Sequence, residues 1–386
     1  MKKLQTAAWV LFDFAETVFS ANIISVFFPL WIINTLGGNS YHYSFVYSTS
    51  IIVSILTGII VGKLADELNL KDRLFKLCVG ILTALLFSLY FIDNLFLALS
   101  VFFVMNIFYQ QSLILYNSLL TEVSSPERQG IVSGAGVGIG YVGGIASMLL
   151  ANYLSENPSE VFLITALIFT VFALPSLFFI KPEINREPEK ISLRKVLSDR
   201  KFTLFIISVL LLTDAAHGLI IFMSVYLNKV FGFDQNQIVN TIAFAGIFAV
   251  ISAPVAGYII SRVDSKIFLK YIFLGWAAGF GLLFVSTEDS IYFVAVLFGI
   301  LLASLWTTIR VVLIGFSPEG QITTRFAFMA LSERMASVIS PLTWGVVVLL
   351  IGENTTGYKT AALILGLFPL LGFLVYRKFL TGHFTT

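Results

Sequence analysis

Apolar runs of roughly twenty residues follow one another along this chain, separated only by polar clusters such as GGNS, SSPERQG, SENPSE, STED, SPEG and GENTTG. A run of about 20 apolar residues crosses the hydrocarbon of a bilayer as a helix. In lipid each backbone N–H and C=O must be satisfied internally, which leaves helices or closed barrels as spanning structures. Twelve spans are expected, at 7–35, 43–64, 74–92, 95–120, 132–153, 160–180, 202–228, 237–260, 267–286, 290–316, 326–350 and 359–377. Composition agrees. Of 386 residues 58% are hydrophobic and 12% charged, about half the charge of an ordinary soluble domain. The expected fold class is therefore an all-α membrane protein with twelve transmembrane helices.

The placement of basic residues sets the orientation. With both termini cytoplasmic, the inner segments collect Lys2, Lys3, Lys63, Lys71, Arg73, Lys76, Arg128, the 181–201 segment, Arg262, Lys266, Lys270, Arg325, Arg377 and Lys378. The outer loops keep only Lys229 and Lys359. This bias is the positive-inside pattern, and a miscount of one span would scramble it. The opening MKKLQTAAWVLFDF has a basic start, but its apolar run outlasts a signal peptide and contains Asp13 and Glu16. It reads as a retained first span.

The polar stretch KPEINREPEKISLRKVLSDRK divides the chain into an N-terminal six-helix half (1–180), a cytoplasmic linker (181–201) and a C-terminal six-helix half (202–386). A short amphipathic helix is expected at Ile191 to Leu197. The halves echo each other: Asp13 in the first span corresponds to Asp214 in the seventh, and GKLAD at 62–66 to GYIISRVDSK at 257–266. Two pseudo-symmetric halves suggest a transporter that rocks around a central site.

Several function classes find no support. Cys78 is the lone cysteine, and the histidines are His42, His217 and His383, so no disulfide, thiolate centre or histidine-rich metal site is expected. Metalloprotease, P-loop and nucleophile-elbow motifs are missing. No soluble segment is large enough to hydrolyse ATP. A formal charge of +2 gives no reason to expect nucleic acid.

The stretch VSGAGVGIGYVGGIAS, Val132 to Ser147, contains the G-x-G-x-x-G spacing of a dinucleotide loop. Such a loop follows a buried strand, and here a polar turn precedes it. Gly136, Gly140 and Gly144 recur at four-residue spacing, as do Gly134 and Gly138, and form smooth helical rows where another backbone can approach. The expected role is helix packing in the fifth span.

Polar side chains within the spans are the functional candidates, since a charge at a helix centre costs roughly 2.5–3.5 kcal/mol on insertion scales. Asp13 and Glu16, three apart in the first span, read either as proton-linked carboxylates or as structural anchors. Asp214 and His217 read as a coupled titrating pair or as a mutually satisfied one. On the fourth span Asn106, Gln110 and Asn117 share one face, with Gln111 and Tyr116 beside it. Amides can bind a zwitterion or sugar, and can equally join helices. Arg310 can bind a substrate carboxylate bidentately, pair with Glu333 or Asp13 as a gate, or snorkel. Arg334 is read with Glu333 as a gate pair.

Three ordered motifs resemble the major facilitator superfamily, and within it the vacuole-effluxer-like branch that includes the autophagy-related vacuolar amino-acid effluxers. They are WVLFDFAETVFSANIISVFFPLW (9–31), YNSLLTEVSSPERQGIVSGAGVGIGYVGGI (116–145) and FAFMALSERMASVISPLTWG (326–345). GKLAD followed by Lys71 and Arg73 is similar to the superfamily's loop signature between its second and third helices. The resemblance implies the major facilitator fold, amino-acid efflux, and a gating role for Asp66 with Lys71 and Arg73. The chain departs from the branch at Glu16 (usually Asn), Arg334 (often Lys), Ser340 before Pro341 (usually Gly) and Ser261 (usually acidic).

The expected function is secondary active transport of a small polar solute, proton-coupled, by alternating access. The alternatives are an exporter of amphiphilic drugs or lipids and, from another class, a polytopic enzyme acting on lipid. The expected partners are the solute, a coupling proton and the bilayer. No cofactor or metal is expected, and the protein is read as a monomer in a bacterial inner membrane.

Overall fold

In the computed structural model, residues 2–154, 158–181 and 190–381 are described, with side chains at 40, 41, 148, 151–154, 158, 235, 337 and 338 excepted. Among these residues no β-strand occurs, and twelve helices are long and apolar enough to cross a membrane. They are α1 (Lys2–Asn34), α2 (His42–Glu67), α3 (Lys71–Phe91), α4 (Leu95–Val123), α5 (Pro126–Ser147), α6 (Ser159–Phe179), α7 (Arg200–Phe231), α8 (Asn236–Ile260), α9 (Ser265–Val285), α10 (Ile291–Phe316), α11 (Glu319–Ile351) and α12 (Thr355–Thr381). Residues 182–189 of the expected linker, the centre of the SENPSE turn (155–157) and His383 lie outside the described residues. The linker helix expected at Ile191 to Leu197 runs over Leu193–Ser198, with Val196 buried.

The polar clusters that punctuate the sequence supply helix caps. Asn39 of GGNS accepts the His42 N–H at 3.1 Å, and the Asn39 N–H donates back to His42 Nδ1 at 3.2 Å. Asp234 and Gln237 repeat this capping box before α8, and Asn354 of GENTTG accepts the Gly357 N–H. Each satisfies helix N–H groups that have no intrahelical acceptor. Gly232, in the left-handed region at φ 72°, ends α7.

Two helices begin well before their expected starts: α1 at Lys2 and α11 at Glu319, against 7 and 326. An apolar count tracks hydrocarbon thickness, whereas a helix continues into the interface for as long as its backbone is satisfied. Within α1 the segment Ser20–Val26 is a π-helix. Pro29 explains it: the ring supplies no N–H to the Ser25 carbonyl and crowds it, and the ladder widens instead of closing.

Contacts divide the chain into two units, 1–191 with 318–327, and 192–317 with 328–386. The first turns of α11 thus cluster with the first unit, and the chain passes into the second within that helix. The units repeat one packing pattern. In the first, α2 packs on α4, α3 on α4, α1 on α6 and α3 on α6; in the second, α8 packs on α10, α9 on α10, α7 on α12 and α9 on α12. The α1–α5 pair has its counterpart in α7–α11, which meet where Gly218 lies against Ser340 and Phe222 stacks on Trp344 at 4.6 Å.

The glycine-rich stretch lies inside a single helix, Gln129–Leu154, preceded by the turn Pro126–Arg128. Four of its glycines face α1. A Cβ at Gly136 would strike the Asp13 carboxylate and Trp9. One at Gly140 would lie 2.7 Å from Thr17 Oγ1, one at Gly143 2.8 Å from the Phe14 ring, and one at Gly144 3.0 Å from Thr17 Cγ2. Gly134 and Gly138 are buried as well. In lipid, where apolar contact drives little helix association, such close backbone approach is what holds two spans together. Gly140→Leu is therefore expected to lower the thermal unfolding midpoint, at a cost of about 1–3 kcal/mol for overpacking. Gly80→Leu serves as the control, because nothing stands within 4 Å of its added Cβ. Equal midpoints for the two variants would contradict this packing.

Candidate functional site

In the first unit, the faces of α1 and α4 carry a chain of polar groups inside apolar helices. Asp13 is buried and accepts the Tyr116 hydroxyl at 2.9 Å. Trp9 fixes Tyr116 in place, donating from Nε1 to the Tyr116 carbonyl at 2.9 Å and stacking on its ring at 4.3 Å. One turn further along, half-buried Glu16 accepts the Tyr109 hydroxyl at 2.9 Å and the Thr17 hydroxyl at 3.2 Å. The three-residue spacing places the two carboxylates on neighbouring faces, and each meets a different tyrosine of α4.

The amides of α4 turn towards α2. Asn106 donates to Ser50 Oγ at 2.7 Å, and Gln110 donates to Asn106 Oδ1 at 3.3 Å. Gln111 donates to the Ser54 carbonyl at 3.0 Å and to Thr57 Oγ1 at 2.9 Å. Asn106 and Gln111 thus join helices in this structure. Asn117 is half-buried, and its Oδ1 is enclosed with no hydrogen-bond partner among the described residues.

At the other end of α2, Asp66 reaches the first α-helical turn of α11, which begins at Ile322 after the 3-10 turn Glu319–Gln321. Its carboxylate accepts the Thr323 N–H at 3.2 Å, the Thr324 N–H at 2.7 Å and the Thr324 hydroxyl at 2.9 Å. First-turn N–H groups have no acceptor within their own helix, and a carboxylate there also meets the positive end of the helix dipole. Gly62 makes the approach possible, since a Cβ there would lie 3.0 Å from both the Thr323 carbonyl and Ala327. Lys71 stands 3.5 Å from Asp66 and 3.8 Å from Glu122. The cation beside Asp66 is therefore Lys71; Arg73 is exposed. In the second unit the corresponding loop behaves differently, since Asp264 caps its own helix at the Lys266 N–H.

In the second unit Asp214 is fully buried and accepts the Ser340 N–H at 2.9 Å. His217 turns Nδ1 towards the Thr213 carbonyl at 2.8 Å and meets the Trp306 ring edge-on. The structure thus gives Asp214 and His217 separate partners and no bond to each other. Arg310 of α10 and Arg334 of α11 both act electrostatically on Glu333, and Arg334 also acts on His217. Glu333, Arg334 and Arg310 therefore form one charged group, and all three are half-buried.

Sequence reasoning passed over two members of these networks. Asn22, fully buried in the π-segment, donates to Thr165 Oγ1 of α6 at 3.0 Å and accepts from Ser147 of α5 at 3.5 Å. An amide within an apolar run is the signal that could have found it. The pairing of Ser340 with Asp214 joins residues 126 apart in sequence, and no local pattern announces that.

Comparison with known proteins places this architecture. The Major Facilitator Superfamily pattern matches residues 14–275. An uncharacterized protein of Aquifex aeolicus (strain VF5) is 36% identical over 384 residues, which covers 98% of this chain and 97% of that one. The uncharacterized MFS-type transporter YxiO of Bacillus subtilis (strain 168) is 22% identical, covering 91% and 90%. Among solved structures, a bacterial homologue of the iron transporter ferroportin in its outward-facing state superposes with a TM-score of 0.79 at 17% identity, over 98% of this chain and 100% of that one. The matching family and the solved structural neighbours are transporters and not enzymes, which removes the lipid-enzyme alternative. With twelve spans, a repeated six-helix packing pattern and a family match over most of its length, this integral membrane protein belongs to the Major Facilitator Superfamily.

Proposed function

We propose that this protein is a proton-coupled secondary transporter of a small polar solute, with an amino acid moved by efflux as the leading substrate. The observation that carries the reading is Glu16. This half-buried carboxylate inside a span is oriented by the hydroxyls of Tyr109 and Thr17. An anion so placed suits the ammonium of an amino acid. Neighbouring members of the superfamily carry other solutes on the same fold, so the solute is argued from these side chains alone. The basic-residue bias supports cytoplasmic termini, and the short loops suit a bacterial inner membrane and a monomer.

Reconstituted vesicles test this directly. Saturable counterflow of labelled amino acids is expected, and Glu16→Gln should raise the half-saturation concentration about ten- to a hundredfold, the loss of one charge-assisted bond. Counterflow confined to solutes without an amine would overturn the amino-acid assignment.

In the same reading Asp66 is a gate that holds the first turn of α11. Asp66→Ala strips two backbone donors and the Thr324 hydroxyl of their acceptor and leaves Lys71 with Glu122 alone. It should destabilise by about 3–5 kcal/mol, as removal of one partner from a buried charge pair does, and should also slow exchange. Asp66→Asn, which keeps one acceptor oxygen, should fall between Asp66→Ala and the native chain. An unchanged exchange rate in both variants would remove Asp66 from the cycle.

A further inference from the structure

The repeat relates Asp13 on α1 to Asp214 on α7, and both face the equivalent neighbour, α5 or α11. Their surroundings differ. Asp13 receives a hydroxyl from Tyr116 of α4. Among the described residues Asp214 receives the Ser340 N–H, and its second oxygen, Oδ2, is enclosed with no hydrogen-bond partner at bonding geometry; the Ser340 hydroxyl, close enough to act on the carboxylate, is enclosed in the same way. Asp214 makes no ion pair and Ser340 has no other contact of this kind. Among the described residues, a buried carboxylate oxygen and a buried hydroxyl oxygen thus lie side by side within the second unit, neither with a hydrogen bond to a third group.

The charged groups nearby are engaged elsewhere. On α7, His217 turns to the Thr213 carbonyl. Arg334 on α11 and Arg310 on α10 both act on Glu333. On α12, Lys359 donates to the Ser286 carbonyl and Tyr376 to the Lys266 carbonyl, while Arg377 and Lys378 are exposed. The only titratable side chain on α8 is Tyr258, which is exposed. An ionised Asp214 would thus be a buried charge with one donor and no counter-ion, a costly state.

We propose that Asp214 is the proton-carrying carboxylate of this transporter. A proton taken from water on one side of the membrane resides on Oδ2, is shared with Ser340 Oγ, and leaves to water on the other side. The inference rests on the proton-coupled reading above and selects one of its three candidate acids, since Asp13 and Glu16 each already accept a tyrosine hydroxyl. The device reads out mechanically. The acceptor for the Ser340 N–H is the same carboxylate that titrates, and Pro341 supplies no N–H to the helical carbonyl four residues back, so α11 is least braced where the proton acts. Loss of the proton strengthens the hold of Asp214 on the Ser340 N–H, and its uptake weakens that hold.

Infrared difference spectra of the reconstituted full chain, recorded between acid and alkaline buffer, test this without any solute. One protonated-carboxyl band is expected. It should shift with isotopically labelled aspartate but not with labelled glutamate, disappear in Asp214→Asn, move in frequency in Ser340→Ala, and persist in Asp13→Asn and Glu16→Gln. A band that follows glutamate label, survives Asp214→Asn or vanishes in Asp13→Asn overturns the assignment, as does the lack of any titrating band. Its suppression by sodium at constant pH would overturn it in favour of a metal-ion site. If Asp214→Asn does not fold, the isotope shift in the native chain and the Ser340→Ala shift decide the matter. An intact Asp214 band in a protein that moves no solute would count against the transport reading alone.

Discussion

A carboxylate inside a bilayer must be answered by donors, and in this protein the donors come from another helix. Tyr116 answers Asp13, Tyr109 answers Glu16, the first turn of α11 answers Asp66, and the Ser340 backbone answers Asp214. Apolar surface cannot do this work between helices, because lipid is as apolar as the helix faces. Close glycine approach and polar pairing remain. The α1–α5 seam uses both at once: the glycine row of α5 lets Asp13 come close enough to be enclosed, and Tyr116 then satisfies it.

The repeat makes the differences between the units informative. The same packing pattern recurs in each, yet the acidic loop residue reaches a distant helix only in the first, where Asp66 caps α11, while Asp264 caps its own helix in the second. The paired span aspartates diverge in the same way, one satisfied by a tyrosine hydroxyl and the other left with an open oxygen. A symmetric scaffold would be stable in either arrangement. Its asymmetric polar groups are where directional work can be performed, and α11 carries two of them, at its first turn and at Ser340.

Much of this was legible in the sequence, because each legible feature is local. Apolar run length gave the twelve spans, Asn39 and Asn354 stood in the turn clusters that cap helices, and four-residue glycine spacing marked a face. Helix ends were less legible: α11 starts seven residues before its expected start at 326, since Thr323 to Arg325 look like loop until the Asp66 cap is known. The site was read by residue type and only partly by partner. Asp214 and His217 are close in sequence, and i,i+3 spacing suggested a pair, but each finds a better acceptor or donor elsewhere. Lys71, rather than Arg73, stands against Asp66. Asn22 was hidden because the π-turn that aims it follows from Pro29, seven residues further on.

The central claim is that donors from one helix are held by a carboxylate from another, and the Asp66 cap states it in its simplest form. Site-resolved hydrogen exchange on the native protein in lipid measures it without any substitution. The Thr323 and Thr324 amides, first-turn groups with no acceptor in their own helix, are predicted to exchange as slowly as amides deep within α11. Exchange at the rate of an uncapped helix end would contradict the account.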